Sequence, residues 1–81
     1  MKEFRVALNE IDKVKVFVNT VSKYPFNVEI MSGRYIIDAK SIMGVFSIDL
    51  SKPVKLCINS DDKNNVNKLE KELGKLNVIV E

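Results

Sequence analysis

The stretch Ala39-Lys40-Ser41-Ile42-Met43-Gly44-Val45-Phe46-Ser47-Ile48-Asp49-Leu50 lies where an apolar, strand-like run gives way to an amphipathic one. Ser41 stands at the changeover, where a helix would begin and its first backbone N–H groups have no partner within the helix. A serine oxygen at that position accepts one of those donors. A phosphoryl group on the same hydroxyl would meet the positive end of the peptide dipoles, with modest electrostatic support. A single buried helical stripe does not need Ile42, Met43, Val45, Phe46 and Ile48 together, so some of them are expected at the surface. An apolar surface beside a modifiable serine suggests docking.

Outward from this stretch the chain alternates between two periods. Tyr35–Ala39 reads as a strand, Val28 and Ile30 mark another, and Ser32-Gly33 is the expected tight turn between them, with glycine supplying a positive φ. On the other side the helix is expected to end by Asp49 or Leu50. Gly44 within it costs about 1 kcal/mol relative to alanine, so the helix must rely on packing. Ser51-Lys52-Pro53 reads as a turn, and Val54, Leu56 and Ile58 alternate as a further strand. Ser60-Asp61-Asp62 supplies caps for a last helix striped by Val66, Leu69, Leu73 and Leu76, with Lys68 and Glu72 set four apart as a surface pair. Gly74 either ends that helix or sits in its final turn. Val78-Ile79-Val80 prefers an added edge strand.

Toward the N-terminus, Phe4, Val6 and Leu8 alternate with Arg5 and Ala7 as a half-buried strand. Asn9-Glu10-Ile11-Asp12 is a polar turn offering Asn9 or Asp12 as a cap. Val14, Phe17, Val18 and Val21 follow at the spacing of one helical face, while their β-branching favours strand. Pro25 pushes Tyr24 out of the helical region and ends the segment. With this segment taken as a helix, the order β-α-β-β-α-β-α implies an α+β fold. It is an open-faced β-sandwich, a four-stranded antiparallel sheet with three helices packed on one side.

Eighty-one residues make one domain, 1–81, able to bury roughly 60% of its unfolded surface. A formal charge of +2, from thirteen basic and eleven acidic residues mixed along the chain, argues against direct nucleic-acid binding. Cys57 is the only cysteine and suits a reducing compartment. No run approaches a membrane span and no signal-peptide core is present, so a cytoplasmic monomer or weak homodimer is expected.

Lys40-Ser41-Ile42-Met43-Gly44-Val45 resembles the regulatory-serine segment of HPr, the phosphocarrier of the bacterial sugar phosphotransferase system. The similarity takes in Ser22-Lys23-Tyr24, runs without gaps through Asn27–Leu50, and continues as loose element order to about Leu76. It implies helix over Val14–Val21 and also a helical C-terminus, which leaves residues 77–81 open between strand and helix. The family's histidine loop, Gly-x-His-Ala-Arg-Pro, is broken here: this chain contains no histidine. Aligned backward from Ser22, the shortened segment Asn9-Glu10-Ile11-Asp12-Lys13 takes that loop's place. The histidine falls near Glu10, the arginine near Asp12 and the proline near Lys13. A neutral imidazole is the nucleophile such transfer needs near pH 7. Histidine-dependent phosphotransfer is therefore excluded, and an anionic loop would repel a phosphoryl donor.

The resemblance implies that Ser41 is phosphorylated by HPr kinase/phosphorylase. It also implies that Lys40, Ile42, Met43 and Phe46 meet a protein partner, such as a transcriptional regulator of the catabolite control type. The regulatory paralogue Crh, which lacks the histidine and keeps the serine, is the precedent. Read without the resemblance, Ser41 is a helix cap and the apolar triplet is ordinary core. Phe46 replaces a methionine common in the Gram-positive proteins and keeps its bulk, whereas Asp12 replaces the arginine that helps partners hold the phosphoserine. A reading of a different class is a constitutive interaction module that uses the same patch without phosphorylation. A third, an acyl phosphate on Glu10 or Asp12, would make the protein a carboxylate phosphotransferase. The chain is expected to be no enzyme and to need no cofactor. Ser47 reads as a plain helix residue, Asp61-Asp62 as a helix start rather than a calcium loop, and Cys57 as neither metal ligand nor redox centre. Lys13, Lys15 and Lys23 are expected on the solvated side of the first helix.

Overall fold

Strand register sorts the side chains of the sheet onto two unlike faces. The computed structural model describes residues 2–80, with β1 (Lys2–Val6), α1 (Ile11–Ser22), β2 (Asn27–Ser32), β3 (Tyr35–Asp38), α2 (Ile42–Phe46), β4 (Val54–Asn59) and α3 (Lys63–Lys75). The strands form one antiparallel sheet in the order β1-β4-β2-β3. Phe4 stands opposite Leu56, Leu56 opposite Ile30, and Ile30 opposite Ile37; Val6 opposes Val54, and Ile58 opposes Val28. Successive side chains point to opposite faces. The alternate rows are therefore Glu3, Cys57, Glu29 and Asp38, then Arg5, Lys55, Met31 and Ile36.

The first set of rows joins Val14, Phe17, Val18 and Val21 of α1, Val45 of α2, and Val66, Leu69 and Leu73 of α3 in one core. The three helices thus cover one face and leave the other open, the expected α+β open-faced sandwich. Segment 11–22 is a helix despite its valines, because a helical stripe can bury all four apolar residues against the sheet. Packing of that kind outweighs small differences in propensity.

Several details depart from the expectations. β1 stops at Val6, and Leu8 is buried beyond the strand. Glu10, not Asn9 or Asp12, occupies the N-cap of α1, and no side chain caps it. The hairpin turn is Gly33-Arg34, since Ser32 already pairs with Tyr35; Gly33 takes φ 58°, the left-handed region open to glycine. α2 ends at Phe46, short of Asp49, and Ser47 closes it by donating from Oγ to the Gly44 carbonyl at 2.6 Å. Gly74 lies inside α3, and Asn77 takes the left-handed conformation (φ 59°) just past Leu76 at the helix end. Asp62 caps α3, with its carboxylate accepting from the Asn65 N–H at 3.2 Å. The tail turns back as an edge strand would: Ile79 bridges Val6, and Val78 is fully buried. Glu81, part of the undecided tail, lies outside the described residues.

Candidate modification and docking site

Ser41 has extended backbone (φ −99°, ψ 109°) and stands immediately before α2. Its Oγ accepts from the Gly44 N–H at 3.1 Å, and the Val45 N–H donates to its carbonyl at 2.9 Å. The expected cap is therefore formed, on a residue that is half-buried. α2 then presents one buried residue, Val45, to the core and turns most of its other apolar side chains outward. Met43 is 80% exposed, Phe46 43% and Ile42 39%. A five-residue helix lying on a sheet has room for one inward residue per turn, so the surplus counted in the sequence sits at the surface.

Close backbone packing seats this helix. A Cβ built on Gly44 would come within 2.8 Å of Ile37 Cγ2 and 3.3 Å of Ser41 Oγ. Gly44 thus brings α2 down onto β3. Lys40, expected at the partner surface, sends its Nζ to the Tyr24 carbonyl (2.6 Å), and its N–H donates to Asp38 Oδ1 (2.9 Å). Its ammonium is tied to the end of α1.

Tyr24 is a junction. Its carbonyl receives Lys40, its ring stacks on Phe26 at 5.5 Å, and its hydroxyl donates to Glu72 of α3. Burial, and then the adjoining Glu72 carboxylate, push the Tyr24 hydroxyl up to about 12. Lys23 and Tyr24 therefore tie the end of α1 to α3 and to Lys40.

The segment aligned with the histidine loop lies against the same surface. Asn9, Glu10 and Ile11 line an open groove with Leu8, Val14, Phe46, Leu50 and Ser51. Asp12 lies in the first turn of α1, on a neighbouring concavity with Lys13, Val16 and Leu76. Two acidic residues at this helix end favour the dipole and oppose a bound phosphate. Ile11, named only as part of the degenerate loop, is 64% exposed and extends the apolar surface beyond α2. The signal for it was an isoleucine inside an otherwise polar turn. Asp49 takes no part in α2; its carboxylate accepts from the Ser51 N–H and hydroxyl, which hold it below its usual carboxylate range.

Cys57 faces Glu3 and Met31 on the open side of the sheet, buried, and burial with the Glu3 carboxylate pushes its thiol up. Among the described residues, no group of histidine, cysteine, aspartate or glutamate side chains could hold a metal ion, and no helix is long and apolar enough to cross a membrane.

No protein-family model matches the chain, and neither does any curated protein. Solved structures do. The crystal structure of HPr-C-His from Thermoanaerobacter tengcongensis is 26% identical, with a TM-score of 0.73 over 94% of both chains. The histidine-containing phosphocarrier protein of Mycoplasma is 18% identical, with a TM-score of 0.69 over 89% of this chain and 90% of that one. The sheet, its three helices and the stretch around Ser41 thus form an HPr-like fold across nearly the whole chain, in a sequence without histidine.

Proposed function

We propose that this chain is an HPr-like regulatory protein of the bacterial sugar phosphotransferase and carbon catabolite control system, without histidine phosphocarrier activity. It acts in the cytoplasm, is phosphorylated on Ser41 by a kinase of the HPr type, and then binds a transcriptional regulator of the catabolite control type. The observation that carries this reading is one juxtaposition: a half-buried serine at the start of α2 is followed at once by exposed Ile42 and Met43, with Phe46 one turn on. A phosphoryl group there adds a salt-sensitive charge to an apolar surface, so one modification changes both components of binding. Met adapts to varied partners, and an aromatic anchor suits a binding hot spot.

The constitutive module is the second reading. What favours it is that Ile42, Met43 and Phe46 are already exposed beside an unmodified Ser41. Incubation with HPr kinase/phosphorylase and ATP, read by intact mass, separates the two. The expected result is a gain of one phosphate, absent in Ser41→Ala. No gain, with an authentic HPr labelled in the same tube, would refute the regulatory reading and leave the constitutive module.

A further inference from the structure

The fold treats its sulfur atoms unequally. Of one cysteine and three methionines, Met1 lies outside the described residues. Cys57 is 3% exposed, and its Sγ lies 3.4 Å from the Sδ of half-buried Met31 on the open face of the sheet. Burial and then the Glu3 carboxylate push that thiol up, so little of it is the reactive thiolate. Met43 has the opposite setting. It stands out from α2 with 80% of its surface exposed and takes no place in the core. The helix is anchored instead through Val45 and the close approach of Gly44 to Ile37.

The chemistry of the surface around it is equally uneven. Ile42, Phe46 and Ile11, the other exposed apolar residues there, carry only hydrocarbon. A thioether reacts with hydroperoxides where these side chains do not, so Met43 is the oxidisable group of that surface.

We propose that Met43 is an oxidative switch on the α2 docking surface, acted on by hydroperoxides. Its sulfur attacks the hydroxyl oxygen of the peroxide; the S–O bond forms as the O–O bond breaks. The hydroxyl proton passes to the departing oxygen, which leaves as water or an alcohol. Sulfur is oxidised by two electrons and the peroxide is reduced by two. The sulfoxide is polar, and methionine sulfoxide reductases return it to the thioether. A surface that relies on an adaptable, apolar methionine loses its fit once that sulfur is polar. Because Met43 lies outside the core, the change reaches the surface and leaves the fold intact. Its effect on docking rests on the function proposed above; the oxidation itself does not.

Dilute hydrogen peroxide on the full chain, followed by peptide mass mapping, tests the switch. Met43 should gain one oxygen about tenfold faster than Met31 or Cys57, with the urea midpoint unchanged. The oxidised protein should elute earlier from a hydrophobic-interaction column. That shift should be absent in peroxide-treated Met43→Leu and reversed by the two sulfoxide reductases together. Oxidation should also slow labelling of Ser41 by HPr kinase/phosphorylase severalfold. Met31 or Cys57 reacting as fast as Met43 would overturn the proposal. So would an unchanged elution, a shift that persists in Met43→Leu, or equal labelling of both forms. If neither form is labelled, the regulatory reading fails, and mapping and elution still decide whether Met43 switches the surface.

Discussion

Helical spacing sets Glu72 beside Lys68, yet the Glu72 carboxylate is taken from across the molecule. Tyr24 donates to one of its oxygens and Lys23 approaches the other at 2.9 Å, so the expected surface pair gives way to a link between α1 and α3. A link between residues 48 and 49 positions apart leaves no mark in local spacing, whereas a cap three residues from its donor, such as Ser41 to Gly44, does. The link also sets a pH window. Hydrogen bonds from Tyr24 and then Lys23 lower the Glu72 carboxyl, so its contribution is present above the ordinary carboxylate range and is lost as pH falls through the lowered folded value. Tyr24, raised to about 12, contributes below its ordinary value near 10 and loses that contribution as pH climbs between the two. Tyr24→Phe should therefore cost about 1 kcal/mol at neutral pH. It should also lose less stability than the parent toward acid and toward alkali. Urea unfolding at acidic, neutral and alkaline pH checks this, and parallel profiles for the two proteins would refute it.

At the scale of the element, α2 is where the sequence is most informative and most deceptive. Its start was legible from Ser41 and its outward apolar surplus from the residue count. Its end was not, because Ser47-Ile48-Asp49 has no breaker, and Ile48 and Leu50 still pack against the core beyond the helix. Gly44 reads in the sequence as a defect that alanine would mend by about 1 kcal/mol. In the fold it is a spacer: the added Cβ meets Ile37 Cγ2, which is branched at its own Cβ and held between sheet and helix. Overpacking of that kind typically costs 1–3 kcal/mol, about enough to outweigh the propensity gain. Gly44→Ala is thus expected to lower stability by about 1 kcal/mol, measured by urea denaturation. An increase in stability would show that α2 can rise off β3.

For the whole molecule, element order follows from period and turn residues, but sheet order does not. Nothing local in Phe4–Val6 says that β1 pairs with β4 rather than with β2, and the contrast between a covered and an open face appears only once register is known. The C-terminal tail makes the point most sharply. The resemblance favoured helix and β-branching favoured strand; the bridge from Ile79 to Val6 settles it as an edge, because β1 offers backbone groups that only an extended segment can satisfy. Closing residues 78–80 on β1 joins the two ends of the chain, and the loop-closure cost of such a contact must be met before it stabilises anything. The contact is therefore expected to form late, after β4 and α3 have docked. Val78 is fully buried against this seam, so Val78→Ala should cost about 2 kcal/mol through lost burial and the cavity left behind. If the seam closes after the folding barrier, that loss appears almost wholly as faster unfolding, with the refolding rate nearly unchanged. Stopped-flow refolding and unfolding of the variant decides the matter, and a refolding rate slowed in proportion to the lost stability would place the tail inside the folding nucleus instead.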